Sequence, residues 1–102
     1  MKEEKIGFVV AYHNPDDKEK FDERYQKHLK VFEESAEKFV ESTMVIKVDD
    51  EVFYQLAIVQ FKQGVDFDTM MSSHDMKIVI DDVLEFVPED KFKVFPITER
   101  IY

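Results

Sequence analysis

The period of the apolar positions changes several times along the chain, and the changes mark its elements. Ile6, Phe8, Val10 and Tyr12 alternate with Gly7, Val9 and Ala11, which are also apolar or small. A strand with two apolar sides is one that is covered on both sides. From Asn14 to Val40 the spacing lengthens to three and four, through Phe21, Tyr25, Leu29, Phe32, Ala36, Phe39 and Val40. That is the stripe of a long amphipathic helix. Asn14-Pro15-Asp16-Asp17 predicts its start, with Asn14 as the cap, Pro15 in the first turn and two carboxylates facing the positive end of the helix dipole. His28 falls three residues after Tyr25 and four before Phe32, so its ring is expected to point inward.

Ser42 to Val48 reads as a second, more polar strand, Asp49-Asp50-Glu51 as a short acidic connection, and Val52 to Lys62 as a third strand with two apolar sides. Gly64 marks a turn and Asp66 a cap, with Val65 and Met70 spaced as a hydrophobic staple around it. A short helix over about Phe67 to Met71 leads to Ser72-Ser73, which can cap another helix. Its stripe is Met76, Val79, Ile80, Val83, Leu84 and Val87, and Pro88 stops it. Phe92 to Ile101 is a last strand, and Pro96 within it argues for a sheet edge or a bulge.

The order is β-α-β-β-α-β, an α+β arrangement of the ferredoxin-like kind with a four-stranded antiparallel sheet and its helices on one face. The two most apolar strands, the first and third, are the central ones in that topology. Two helix regions cover only one face, which leaves the other apolar face open. The economical cover is a second copy, sheet against sheet, and a homodimer is therefore expected.

Composition narrows the picture further. At 102 residues the chain is one domain, and ten Phe with four Tyr give it a core. The formal net charge of −9 disfavours nucleic acid and anionic membranes as partners. No run approaches a membrane span, and the apolar run after Met1-Lys-Glu-Glu-Lys5 is too short for a signal peptide, so a soluble cytoplasmic protein is expected. The absence of cysteine excludes thiolate chemistry and cysteine-ligated metals. Gly7 and Gly64 are the only glycines, which excludes phosphate-cradling loops. The three histidines lack close metal-ligand spacing, so no dedicated metal site or other cofactor is expected, although a haem ligand among them stays open.

Among residues able to carry chemistry, His28 comes first. An imidazole between a helix and an apolar sheet face is kept neutral by desolvation and can act as a base. The competing reading is a structural histidine bonded to a backbone carbonyl. Tyr25, one turn earlier, and Tyr12, at the end of a central strand, can hydrogen-bond the ring or a substrate oxygen. His13, Tyr54 and Met70 are the candidate substrate contacts, His13 at a pocket mouth and Met70 in an adaptable apolar wall with Met71, Met76 and Phe67. For these, loop exposure and core packing are the plainer alternatives. His74 reads as part of an exposed first turn. The carboxylate runs Asp49-Asp50-Glu51 and Asp81-Asp82 read as solvated surface.

The first strand ending in Tyr12, the Asn14-Pro-Asp-Asp start, Phe21 and Tyr25-x-x-His28-Leu resemble the EthD family of dimeric α+β barrel proteins. The block from Phe67 through Ser72-Ser73 to Val79-Ile80-Asp81-Asp82-Val83-Leu84-Glu85-Phe86 is similar to that family's second helix region. Leu29-Lys30-Val31 departs from the family, with lysine where proline often stands. The resemblance implies a dimer with a pocket between each sheet and its own helices. It also implies a loose link to oxidative degradation of small organic compounds. Related barrels include cofactor-free monooxygenases, isomerases, polyketide cyclases and haem-dependent enzymes. Three readings follow: an enzyme acting on a small apolar or aromatic carbonyl compound beside His28, a non-catalytic binding or accessory protein for a degradative oxygenase system, and a structural dimer whose pocket its own side chains fill.

Overall fold

The computed structural model describes residues 4–102. Strand β1 (Gly7–His13) is followed by helix α1 (Lys18–Ala36), which tightens into a 3-10 turn over Glu37–Phe39. Strands β2 (Val40–Lys47) and β3 (Phe53–Phe61) then form a hairpin. Helices α2 (Phe67–Met71) and α3 (His74–Leu84) lead through a 3-10 turn over Glu89–Lys91 to β4 (Phe92–Ile97). All pairings are antiparallel in the order β2-β3-β1-β4, the ferredoxin-like arrangement the element order predicts. The strands rich in apolar residues on both sides are the central ones.

One sheet face carries Phe8, Val10 and Tyr12 with Ala57, Val59 and Phe61, and these pack with Phe21, Tyr25, Met76, Val79 and Val83 of the helices as one core. On the opposite face the cross-strand rows Met44–Ile58–Val9–Phe95 and Ile46–Leu56–Ala11–Lys93 follow from the register. Met44 and Phe95 there are 56% and 42% exposed. Gly7 permits close approach within the sheet, since a Cβ on it would collide with the Val59 carbonyl.

Local chemistry fixes the ends. Asp66 and Ser73 cap α2 and α3, accepting from the backbone N–H groups of Thr69 and Met76. Gly64 turns the chain at φ +87°. Asp17, rather than Asn14, caps α1, accepting from the Lys20 N–H at 3.1 Å. Asn14 instead donates from its side chain to the carbonyls of Asp50 and Glu51 at 3.0 and 3.1 Å, tying the approach to α1 onto the β2–β3 turn. That turn is itself held by Asp50, whose carboxylate accepts from the Val52 and Phe53 N–H groups. Helix α3 ends at Leu84, short of Pro88, because Glu85 and Phe86 bond back to Asp82 and Val83 in tighter i to i−3 turns. Leu84 is consequently 43% exposed rather than part of the core stripe. The last strand also stops earlier than the pattern suggests, at Ile97.

Two bulges interrupt the ladders. Between the pairs Tyr12–Gln55 and His13–Phe53, β3 spends one more residue than β1. Tyr54 and Gln55 therefore both face the helices, whereas Phe53 stacks edge-on to His13. Between Val40–Phe61 and Ser42–Gln60, Glu41 is the extra residue of β2.

Candidate functional site

Helix α1 presents Arg24 and His28 one turn apart, and α3 packs alongside with Asp82, followed by Glu85 just past its end. His28 is buried, with only 6% of its side chain exposed, and its Nδ1 lies 2.7 Å from Asp82 Oδ2. Arg24 grips the same carboxylate, with Nη2 to Oδ1 at 2.6 Å and Nη1 to Oδ2 at 3.3 Å. It also reaches Glu85 at 3.1 Å and lies 4.6 Å over the Phe86 ring. Phe86 in turn stands edge-on to the imidazole at 5.8 Å. The result is a chain of groups, Glu85–Arg24–Asp82–His28, that runs from solvent to the interior.

The electrostatics give each group a defined state. The Arg24 hydrogen bonds hold Asp82 below the usual carboxylate range, with His28 adding to the effect, so it stays ionised. Burial pushes the His28 imidazole below its ordinary value; the bond to Asp82 and its charge pull the other way, and Arg24 opposes them. A neutral ring beside an ionised carboxylate places its proton on Nδ1, as donor to Asp82. Nε2 then carries the lone pair, and among the described residues it has no hydrogen-bond partner.

His28 lines a cavity of about 70 Å³ enclosed by the sheet and the two long helices. Its walls are mostly apolar, from Phe8, Val10, Ala57, Val59, Val79 and Val83. Tyr12, Tyr25, His28 and Thr43 are the polar side chains in the lining. The Tyr12 and Tyr25 rings meet edge-on at 5.4 Å, and Tyr25 lies 5.5 Å from His28. Burial raises both phenols above their ordinary value, so both stay protonated. Either phenol O–H is chemically able to donate to a ligand oxygen. A volume of 70 Å³ exceeds what a single water needs but is less than the roughly 150 Å³ of an apolar cavity that takes benzene.

The sequence-derived candidates divide into two groups. His28, Tyr12 and Tyr25 converge on this cavity. His13, Tyr54 and Met70 do not line it. His13 borders a separate groove of about 410 Å³ with Asn14, Lys20 and Lys91. Tyr54 donates to both Asp22 oxygens at 3.0 Å, under the ammonium of Lys47, which also pairs with Asp22. Met70 is fully buried core, and Met71 and Met76 line the cavity in its place. His74 is exposed at the start of α3.

The structure corrects the surface reading of Asp82. Asp81 does pair with Lys77 at the surface, but Asp82 is the carboxylate that orients His28. The sequence reading also misses Arg24. The available signal was complementary spacing, a base and a histidine four apart on one helix and two acids three apart near the end of another.

The ferredoxin-like fold has a counterpart among solved structures. The chain shares its fold with an EthD family protein. The match is to the crystal structure of an ethyl tert-butyl ether d (EthD) family protein from Bacillus halodurans C-125, with a TM-score of 0.80. It covers 94% of this chain and 99% of that one, at 17% sequence identity. No protein-family model matches the sequence, and no curated protein is similar to it. Among the described residues no helix is long and apolar enough to cross a membrane.

Proposed function

We propose that this chain is an EthD-like protein that binds an apolar carbonyl compound smaller than benzene in the cavity beneath α1 and α3, with His28 as the group that meets it. The observation that carries this reading is the state of His28. It is buried, held at Nδ1 by an ionised carboxylate, and part of the lining of an apolar cavity. A structural histidine has no need of that third feature. In a cofactor-free enzyme of the oxygenase, isomerase or cyclase type, Nε2 would accept a proton from an activated C–H or O–H of the ligand. Asp82 would stabilise the imidazolium that forms, and Arg24 would keep Asp82 ionised. The hydroxyl of Tyr12 or Tyr25 would donate to the ligand oxygen. The protein would work as a homodimer, two copies meeting across the open sheet face with its Met44–Ile58–Val9–Phe95 row.

The predominantly apolar wall supports a second reading, a non-catalytic carrier or accessory protein of a degradative oxygenase system. Both readings need the same pocket, and only turnover separates them.

The test is an NMR titration of the three histidines against a panel of small ketones and aldehydes. A His28 that is neutral at pH 7 and shifts with one compound supports the proposal, provided that His28→Ala abolishes the binding and keeps the fold. If no compound reaches His28, or His28→Ala leaves every affinity unchanged, the proposal fails and the pocket is packing.

A further inference from the structure

Gln55 of β3 stands directly opposite Lys47 of β2 in the sheet register, so the two side chains are neighbours on the helix side. Gln55 is only 3% exposed, and its Nε2 is buried with no hydrogen-bond partner among the described residues. Buried donors are nearly always paired, and one left unpaired costs stability. This one belongs to a residue that lines a groove of about 420 Å³ between the middle of α1 and the second half of β2. His28 is not part of that groove. Two charged groups border it beside Gln55. Asp22 of α1 and the ammonium of Lys47 are ion-paired, and the Tyr54 hydroxyl donates to both oxygens of Asp22 at 3.0 Å. Burial acts to raise Asp22, but the bonds from Lys47 and Tyr54 outweigh it and hold the carboxylate below its usual range, ionised. Asp22 and Lys47 are each about half exposed, and a carboxylate and an ammonium both have capacity for a further hydrogen bond. The groove thus sets two donors, Gln55 Nε2 and Lys47 Nζ, beside a fixed anionic acceptor, with Leu29 and Val45 as apolar sides.

We infer that this groove is a second ligand site, selective for a small molecule that carries a neutral carboxamide. The ligand oxygen accepts from Gln55 Nε2, the ligand N–H donates to Asp22, and a short apolar end lies against Leu29 and Val45. The last torsion of a glutamine is soft, so the buried amide turns toward an incoming oxygen at small cost. A carboxylate would satisfy Gln55 and Lys47 but would stand against the charge of Asp22. A ketone satisfies Gln55 and offers Asp22 nothing to accept. The carboxamide alone answers both groups without adding charge. The site is independent of what the His28 cavity binds.

The experiment titrates the protein with isobutyramide, isobutyrate and methyl isopropyl ketone, which share one branched apolar end, while the Gln55 side-chain N–H₂ signals are followed by nitrogen-15 NMR. Isobutyramide is expected to move them at concentrations about threefold to tenfold below the other two, the worth of one hydrogen bond in water. In Gln55→Met, which keeps the length of the side chain and drops the amide, isobutyramide binding read on the Lys47 signals should weaken by about as much. In Asp22→Asn, at a half-exposed helix position, the gap between amide and carboxylate should close. Equal or tighter binding of isobutyrate to the wild type, or an unaltered isobutyramide affinity in Gln55→Met, overturns the carboxamide assignment. If no probe moves the Gln55 signals, the partner of Nε2 is a buried water only, visible as a cross-peak to solvent, and the site itself is overturned.

Discussion

Replacing Asp82 by alanine removes the acceptor of His28 Nδ1–H and one of two carboxylates around Arg24. The structure apportions the cost. The His28 bond is short, 2.7 Å, between side chains only 6% and 14% exposed, so water does not replace it readily. A hydrogen bond to a charged acceptor in such a place is worth about 1.5–3 kcal/mol. Arg24 is 27% exposed and keeps Glu85 and the Phe86 face, so its share of the loss is at most about 1 kcal/mol. The expected destabilisation for Asp82→Ala is therefore about 2–4 kcal/mol. Asp82→Asn keeps an oxygen that can accept from Nδ1 and should cost roughly half as much or less. Urea unfolding at pH 7.5 measures both, and nitrogen-15 shifts of the imidazole report the tautomer. Wild type should show the proton on Nδ1, and Asp82→Ala a mixture. Equal costs for the two variants, or a wild-type proton on Nε2, would refute the assignment of Asp82 as the group that positions the ring.

Three further predictions stand on other contacts. Because burial lowers the His28 pKa in the folded state, the unfolded chain takes up the proton first as pH falls; stability should be complete above the ordinary histidine value of about 6.5 and decline below it, down to the folded value. His28→Gln should flatten that slope in pH-dependent unfolding, while the steeper loss at lower pH, where carboxylates such as Asp82 protonate, remains because the Arg24 hydrogen bonds still lower Asp82. Asp17→Ala should cost about 1 kcal/mol as a lost helix cap. Asn14→Ala should instead speed hydrogen exchange in the β2–β3 turn without fraying α1, and fraying of α1 would contradict the docking role.

Much of the fold was legible because it depends on period and sidedness. The two-sided apolar runs of β1 and β3 placed them at the centre, and the spacing around His28 turned it inward. Elements were misread where a distant partner decided the outcome. Asn14 looks like a cap until the β2–β3 turn arrives to claim its amide, which leaves Asp17 to do the capping. Asp82 is indistinguishable from Asp81 by type and differs only in facing α1, across more than fifty residues of chain. Tyr54 belongs to an alternating strand by pattern, and only the bulge turns it toward Asp22 and away from the His28 cavity. The end of α3 was placed too late because Pro88 is a visible stop, whereas the tighter turns at Glu85 and Phe86 leave no mark in composition.

The bulge at Tyr54 also bears on where the chain tolerates a change in length. In a regular strand, removing one residue inverts every side chain beyond the cut, which here would send core residues to the open face. Tyr54 is already surplus to the pairing with β1, so its removal restores a plain ladder and leaves the facing of Ala57, Val59 and Phe61 as it is. A chain lacking Tyr54 should fold, weakened by the loss of its contact with Asp22, while one lacking Ile58 should not; circular dichroism and soluble yield would distinguish them. Besides the Glu41 bulge of β2, the sheet thus contains a position at which its length can drift by a residue without disturbing the faces, next to the strand end that supplies Tyr12 to the cavity.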